Sequence, residues 1–351
     1  MGCERAGRRD RARRERGPGK SLSPGPPPAE PGRSPGAPPR VVTDPKEVEQ
    51  LLRDQSRRTE TRADLERRHG DELAEVSPTV GVLDEAAVAG AYDEDPDRTV
   101  DLLADLARAT DPTLRAAARR LAVRLLVPPA RAGDTERRGS TRLTTVAGEG
   151  LDLDLDATLE RSLEHRPVRA EDLRWRGWRS PGRAIVLLVD ASGSVAGKPL
   201  TTAVTTAGAL AAGLRTDDEL AVVAFWSRAV LLRHLHSPAP ASAVLDSLLD
   251  LRGGSTTDLA LGLRTALAQA AAARVPHADV LVLTDGAWNE GEDPDPVAGG
   301  SGTARVHTLV TVDDEEARVS CARLAAAGGG RSVPLYRPSD APAAVRAVLR
   351  A

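Results

Sequence analysis

Cysteine, methionine and aromatic residues are all scarce in this sequence of 351 residues. It has two cysteines, one methionine, one phenylalanine and two tyrosines, and only 2% of its residues are aromatic. Cys3 and Cys321 are too few for a disulfide framework and lack the spacing of a zinc site. This cysteine usage is typical of a protein from a reducing cytosol. The excess of arginine over lysine and the abundance of alanine resemble those of GC-rich bacterial genomes.

Long apolar runs and a large net charge are also absent. No apolar run approaches the roughly 20 residues of a transmembrane helix, and the charged N-terminus has no apolar segment of the kind found in secretory signals. Ala6 stands where a myristoylation signal carries Ser or Thr. The net charge of −3 gives no general attraction to nucleic acid. We therefore expect a cytoplasmic protein that does not contact a membrane.

Composition divides the chain into three parts. Residues 1–42 are rich in Arg and then in Pro and Gly, which predicts a disordered tail. Residues 43–150 predict a helical region and a linker, because Asp95-Pro96 and Asp111-Pro112 each combine an acidic N-cap with Pro at the first helical position. Residues 151–351 predict a lead-in segment and a domain whose core begins at about residue 184. The helical region is interpreted as a scaffold or a docking surface.

The C-terminal part alternates strands and helices. Ala184–Val189 and Val280–Leu283 are continuous aliphatic runs, which are typical of strands buried on both faces of a parallel sheet. Helical patterns separate these strands from each other and from weaker ones, such as a short edge strand over Ala229–Leu235. This alternation predicts an α/β fold with a doubly wound, mostly parallel sheet flanked by helices.

Oxygen-bearing side chains follow two of the predicted strands. Asp190, Ser192 and Ser194 come directly after the first aliphatic run, and Asp285 follows the second. Between them, a glycine-rich turn leads through Thr256 and Thr257 into an Ala/Leu-rich helix. Carboxylate and hydroxyl oxygens on converging loops are suitable ligands for Mg²⁺. The alternative is that Asp and Ser only cap helices and turns here.

Phosphate binding is a second interpretation of the first loop, but the motif does not fit. The run Gly193–Lys198 is one residue short of a P-loop, and Pro199 stands where a P-loop has Ser or Thr. No other run of the sequence matches that motif. We therefore expect no ATP hydrolysis. The sequence also shows no nucleophile with a nearby general base, so it gives no indication of an enzyme of another kind.

The three motifs, in this order, resemble the von Willebrand factor A (VWA) domain and its metal-ion-dependent adhesion site (MIDAS). The resemblance covers the chain from about Ala184 onward and implies Mg²⁺ or Mn²⁺ as the ion. It further implies that Ser192, Ser194 and one threonine bind the ion directly, while Asp190 and Asp285 act largely through water. Thr257 is preferred because Thr-Asp-Leu-Ala resembles bacterial members, with Thr256 as the alternative.

The resemblance also implies a protein-binding role. In this family an open position on the metal takes a carboxylate from a partner protein. Trp288 and Asn289 follow the last motif and are candidate partner contacts, although Trp288 could instead pack beneath a neighbouring loop.

The lead-in Asp172–Trp178, with its Arg and Trp residues, resembles the CoxE-like group of VWA proteins. This group is similar to the companions of MoxR-type AAA+ ATPases, which implies a co-chaperone in the maturation of a metalloenzyme or protein complex. A magnesium-chelatase-like subunit is one alternative, although no Walker motif precedes residue 184. A stand-alone VWA binding protein whose tail contacts nucleic acid is another.

Overall fold

A computed structural model describes most of the chain. The described residues are 40–57, 59–126, 142–147, 152–163, 167–179, 182–192, 198–215 and 217–349. Ser194 and the predicted tail up to residue 39 lie outside them.

The strands are β1 Val41–Val42, β2 Arg142–Ala147, β3 Asp152–Leu153, β4 Arg174–Arg179, β5 Arg183–Asp190, β6 Glu219–Phe225, β7 Ala229–Arg233, β8 His277–Thr284, β9 Ala304–Val310 and β10 Gly329–Pro334. The helices are α1 Pro45–Ser56, α2 Arg62–His69, α3 Asp71–Val76, α4 Glu85–Glu94, α5 Pro96–Leu106, α6 Pro112–Leu126, α7 Leu155–Ser162, α8 Lys198–Gly213, α9 Ala243–Asp250, α10 Leu259–Ala271, α11 Pro294–Gly299, α12 Glu315–Ala327 and α13 Ala341–Leu349.

In the described part of the chain, seven strands form one sheet in the order β1-β7-β6-β5-β8-β9-β10. Neighbouring strands are parallel except for β6 and β7, which are antiparallel. Helices cover both faces, so the central strands are apolar on both sides. The predicted fold class, a doubly wound and mostly parallel α/β sheet flanked by helices, is confirmed.

Successive side chains of β5 enter different cores. Ile185 and Leu187 pack in the core that also contains residues of α8, α9 and α13. Val186 and Leu188 point the other way and pack with residues of α10 and α12. This alternation is the two-residue period of a strand, and it explains why the run contains no polar residue until Asp190.

The N-terminal helices α5 and α6 pack against α8. Asp111 caps α6 as predicted, because its carboxylate accepts hydrogen bonds from the backbone N–H groups of Thr113 and Leu114 at 2.8 and 2.9 Å. A Cβ at Gly208 of α8 would lie 2.7 Å from the carbonyl oxygen of Leu126, so only glycine allows this approach. The apolar face of the hairpin is thus buried inside the molecule, which favours the scaffold interpretation over a docking surface.

The prediction that the strand at Ala229–Leu235 lies at the sheet edge is wrong. The two residues of β1, which the sequence placed in the disordered segment, pair in parallel with Ala229 and Val230 of β7. A two-residue strand carries too little pattern to be recognised in a sequence, since period-2 alternation needs at least four residues.

The lead-in segment belongs to a second sheet, with the strand order β2-β4-β3. Asp154 caps α7 by accepting a hydrogen bond from the N–H of Ala157, and it also accepts one from the hydroxyl of Thr145 at 2.6 Å. The Trp-containing stretch forms β4, in which Trp175 pairs with Val146. Among the described residues, no helix has the length and apolar character needed to cross a lipid bilayer.

Candidate metal centre

The candidate site lies at the carboxyl ends of β5 and β8, where the sheet's connections diverge. Strand β6, which follows β5 in the chain, pairs with one edge of β5, and β8 pairs with the other edge. Ligands of open α/β sheets bind at such switch points. Asp190 ends β5 and Thr284 ends β8, and the Thr284 hydroxyl donates a hydrogen bond to Asp190 Oδ2 at 2.9 Å.

The carboxylate of Asp190 is held by its own loop as well. The backbone N–H of Ser192 donates to Asp190 Oδ1 at 2.9 Å. The N–H of Ala191, one residue earlier in the chain, donates to the carbonyl of Phe225 at the end of β6 at 2.8 Å. Both oxygens of Asp190 are therefore oriented by hydrogen bonds.

Two negative charges lie close together at this edge. Burial raises the pKa of Asp190, and the neighbouring charge of Asp285 raises it further, against the hydrogen bonds from Ser192 and Thr284. In the part of the chain that the structure describes, neither carboxylate forms an ion pair with a basic side chain. A buried carboxylate without a counter-charge is costly, and a divalent cation would supply that charge.

The threonine loop approaches the Asp190 loop directly. Ser192 and Gly254 form an isolated parallel bridge between the two segments. A Cβ at Gly254 would lie 2.5 Å from Cδ1 of Trp226, so the loop can cross that indole ring only at a glycine. Thr257 is buried, whereas Thr256 is exposed. The two threonines that the sequence left open thus differ in burial, and which of them binds a metal stays a prediction.

Asp258 fixes the start of α10 next to Thr257. Its side chain accepts a hydrogen bond from the N–H of Leu261 at 2.9 Å and so caps the helix. Its own N–H donates to the carbonyl of Trp226 at 2.9 Å. Thr257 therefore occupies a defined position at the entrance of α10.

The loop after β8 is built around Gly286, which has a φ of +78°. A Cβ there would lie 2.9 Å from Sγ of Cys321 on α12, so both conformation and space require glycine. The N–H of Gly286 donates to the hydroxyl of Thr284 at 3.1 Å, and the N–H of Ala287 donates to Asp285 Oδ1 at 2.9 Å. The Asp285 carboxylate is exposed above this turn.

Cys321 lies beneath the site but is no candidate ligand. Burial raises the pKa of its thiol to about 12, with smaller contributions from the charges of Asp285 and Asp190. A thiol binds metals as the thiolate, so Cys321 stays protonated and packs as a small apolar group.

Asn289 joins the last loop to the threonine loop. Its side-chain oxygen accepts from the N–H of Thr257 at 2.8 Å, and its own N–H donates to the carbonyl of Thr257 at 3.1 Å. The side chain of Trp288 is 36% exposed beside it. Both residues lie at the rim of the site. Asn289 also links the loop after β8 to the threonine loop by hydrogen bonds, which the sequence did not indicate.

The structure brings Asp190, Ser192, Thr257 and Asp285 to one sheet edge, while Ser194 lies outside the described residues. Sequence reasoning missed the part played by Thr284, whose only signal is that its hydroxyl precedes Asp285 directly. It also missed Arg40, whose guanidinium hydrogen-bonds to Asp258, 218 positions away in the chain. No local pattern can report a contact at that separation.

The chemistry of these side chains fits a hard divalent cation. The candidate ligands are hydroxyl and carboxylate oxygens, which suit Mg²⁺ and Mn²⁺ rather than softer metals. Within the described residues, no group of three or more His, Cys, Asp or Glu side chains forms a separate metal cluster. The residues present therefore fit the ion that the sequence motif implies.

Comparison with known proteins gives one family. A family model described as "VWA domain containing CoxE-like protein" matches residues 117–309, more than half of the chain. A comparison with curated proteins finds no match.

Several solved structures are similar over about half of the chain. An aerotolerance-related membrane protein from Bacteroides fragilis matches with 16% identity, 48% of this chain, 98% of that chain and a TM-score of 0.39. BatB from Bacteroides thetaiotaomicron matches with 17% identity, 48% of this chain, 97% of that chain and a TM-score of 0.38. Proximal thread matrix protein 1 from the mussel byssus, with a zinc-occupied MIDAS motif, matches with 14% identity, 48% of each chain and a TM-score of 0.37.

Proposed function

The chain belongs to the family of VWA domain containing CoxE-like proteins, and we propose that it is a metal-dependent protein-binding adaptor with its binding site at the carboxyl ends of β5 and β8. One observation carries this proposal. The buried Asp190 carboxylate and the neighbouring Asp285 have no basic partner among the described residues, and the hydroxyl-bearing loops of Ser192 and Thr257 meet beside them.

The proposed ligands divide into two kinds. The hydroxyls of Ser192, Ser194 and Thr257 bind Mg²⁺ or Mn²⁺ directly. Asp190 and Asp285 contribute through water, which agrees with the engagement of both Asp190 oxygens in hydrogen bonds to Ser192 and Thr284. Burial of Thr257 and exposure of Thr256 support Thr257 as the threonine ligand.

The proposed partner is a protein that offers an Asp or Glu side chain to the site. Bound through mostly neutral hydroxyls, the ion retains positive charge and an open position for that carboxylate. Trp288 supplies an exposed aromatic surface at the rim, the kind of side chain that anchors protein interfaces. Asn289 holds the rim against the threonine loop. These residues bind and orient a partner, and we propose no catalytic step for them.

A MoxR-type AAA+ ATPase is the proposed working partner, with a client metalloenzyme or protein complex as the recipient, in the cytoplasm. The CoxE-like family description supports this role. The sequence offers no P-loop of its own, so an adaptor of this kind would depend on an ATPase for mechanical work.

A pull-down from native lysate tests the adaptor role. The full chain is used as bait in Mg²⁺ and in EDTA, alongside Ser192→Ala/Ser194→Ala and the control Ser301→Ala, which lies after α11 and away from the site. We expect an AAA+ ATPase to be retained only in Mg²⁺ and only by the wild type and the control. Retention of the ATPase in every lane, or in none, would overturn the metal-dependent adaptor.

A further inference from the structure

The N-terminal segment of the described chain lies against the loop that carries Thr257. We refer to residues 40–56, which comprise β1 and α1, as the N-terminal strap. The loop in question runs from Leu251, at the end of α9, to Asp258, at the start of α10. The strap precedes this loop by about two hundred residues in sequence, and it meets the loop at three places.

The first contact is apolar. Residues of β1 and α1 are buried in one cluster with residues of the site loops. The cluster contains Val42, Val48, Leu52, Ala191, Ala224, Trp226, Val230 and Leu251. Ala191 separates Asp190 from Ser192, and Leu251 starts the threonine loop. The strap therefore forms part of the floor beneath both loops.

The second contact fixes the start of the threonine loop. Gln55 near the end of α1 uses both ends of its amide on one residue. Its Nε2 donates to the carbonyl of Arg252 at 2.7 Å, and its Oε1 accepts from the N–H of Arg252 at 2.8 Å. This pairing holds the peptide immediately before Gly253 and Gly254, two residues whose backbone is intrinsically less restricted than that of other residues.

The third contact fixes the end of the same loop. The Arg40 guanidinium forms an ion pair with Asp258, whose side chain is almost fully buried, and a second one with Glu290 at 3.2 Å. Asp258 follows Thr257 directly, and the N–H of Glu290 donates to the carbonyl of Thr257 at 3.1 Å. Arg40 thus joins the two loops that flank the site.

We propose that the N-terminal strap positions the Thr257 loop for metal binding, with Gln55 and Arg40 as positioning residues at its two ends. This inference rests on the proposed function and extends it to the regulation of the same site. Between its two ends, the Thr257 loop is held by the bridge of Gly254 to Ser192 and by the close approach of Gly254 to Trp226. Holding both ends of the loop reduces the number of conformations that the loop samples before the Thr257 hydroxyl binds an ion. The entropic cost of binding is then smaller.

Titration of Mn²⁺ into the full chain tests the proposal, with affinity followed by the electron spin resonance signal of the free ion. The variants are Arg40→Ala, Gln55→Ala and the double variant. Arg53→Ala is the matched control, because Arg53 lies on the same helix, is 69% exposed and pairs with Glu49. We expect the double variant to bind Mn²⁺ about 10- to 100-fold more weakly, as for other outer supports of metal ligands. The control should bind as the wild type does, and Arg40→Lys should restore part of the loss.

Hydrogen exchange of the metal-free chain gives a readout that does not depend on the ion. Amides of residues 252–258 should exchange faster in the double variant than in the wild type, with the β5 and β8 amides unchanged. If the double variant shows unchanged Mn²⁺ affinity and unchanged amide exchange, the proposed positioning role of the N-terminal strap is overturned. If the wild type itself binds no Mn²⁺, the proposed function fails, and the exchange result alone then decides whether the strap orders the loop.

Discussion

Asp190 illustrates how one residue can cost stability and serve a site. Its pKa is raised by burial and by the Asp285 charge. An acid whose folded-state pKa lies above its ordinary value of about 3.9 destabilises the fold when it is ionised. At neutral pH and without a cation, the ionised Asp190 therefore destabilises the fold. A bound divalent ion would remove this destabilisation.

We predict that Asp190→Asn makes the metal-free protein more stable and abolishes the metal's stabilising effect. Asparagine keeps the size of the side chain and removes its charge. In EDTA at pH 7, denaturant unfolding should give a larger unfolding free energy for the variant than for the wild type. In saturating Mg²⁺ the order should reverse, because only the wild type gains binding energy.

The control for this prediction is Asp246→Asn, since burial also raises the pKa of Asp246, which lies on α9. Its effect on stability should be the same in EDTA and in Mg²⁺. A destabilised Asp190→Asn protein in EDTA would show that the carboxylate is satisfied without an ion.

At the residue scale, the sequence predicted which side chains share a sheet edge where a side chain follows a strand directly, and their role as metal ligands stays a prediction. Asp190 and Asp285 sit at the ends of two aliphatic runs, so their shared sheet edge could be inferred from parallel topology alone. Thr257, the threonine that the sequence favoured, is buried and Thr256 is exposed, a difference that the sequence does not show. The contacts of Asn289, Gln55 and Arg40 join segments that are far apart in the sequence. No residue spacing in the sequence encodes such contacts.

At the element scale, an ionic cluster joins the strands at the end of the sheet opposite the site. Asp279 on β8 is buried, and Arg305 and His307 on β9 contact its Oδ1 at 3.0 and 3.4 Å. The N–H of Arg331 on β10 donates to Nδ1 of His307 at 3.1 Å, which places the ring proton on Nε2, towards Asp279. Burial would raise the pKa of Asp279, but these partners together lower it.

We predict that Asp279→Asn destabilises the fold at pH 7 and flattens its acid dependence. The folded-state pKa lies below the unfolded value of about 3.9, so the carboxylate stabilises the fold above that pH and loses this effect as pH falls through the folded-state pKa. The loss at pH 7 should be about 2 kcal/mol, within the range for a hydrogen bond to a charged group, since Asp279 is buried but Arg305 is 39% exposed. Urea unfolding from pH 7 to pH 3 measures both effects.

The exposed Asp313, which pairs with Arg318, provides the comparison. Asp313→Asn should change the unfolding free energy by less than about 1 kcal/mol. The loss of stability as pH falls from 7 to 3 should be the same as in the wild type. Equal pH profiles for Asp279→Asn and the wild type would show that the cluster is not the source of the acid sensitivity.

Long, strongly patterned elements were predictable, and short ones were not. The runs Ala184–Val189 and Val280–Leu283, predicted as buried strands, lie within β5 and β8. The sequence predicts neither of the short helices α9 and α11; α9 follows a stretch that contains Pro238 and Pro240, and α11 begins at Pro294. The two residues of β1 carry no pattern, yet they pair with β7, and Val42 lies in the apolar cluster that also contains Ala191 and Leu251.

On the scale of the whole molecule, the N-terminal helices and the sheet share a core. Residues of α5 and α6 are buried together with residues of α8 and of the central strands β5 and β8. Helix α8 is rich in Ala and Thr because it is covered on both sides, by the sheet and by α5 and α6. The sequence separated a helical region at 43–150 from a domain at 151–351, and these boundaries remain a prediction.

This arrangement explains how a region outside the family's metal motif can influence it. The strap, the threonine loop and the Asp190 loop meet in one apolar cluster. If the proposed positioning by the strap holds, substitutions in the strap alter metal binding through this cluster. The central claim is that the site binds a divalent ion.

Isothermal titration of Mg²⁺ into the full chain tests that claim most directly, with Ser192→Ala, Thr257→Ala and Thr256→Ala measured in parallel. We predict one bound ion per chain for the wild type and for Thr256→Ala, and no measurable binding for Ser192→Ala or Thr257→Ala, with thermal unfolding in EDTA showing that all four are folded. Wild-type affinity in Ser192→Ala and Thr257→Ala, or no binding by the wild type, would contradict the account.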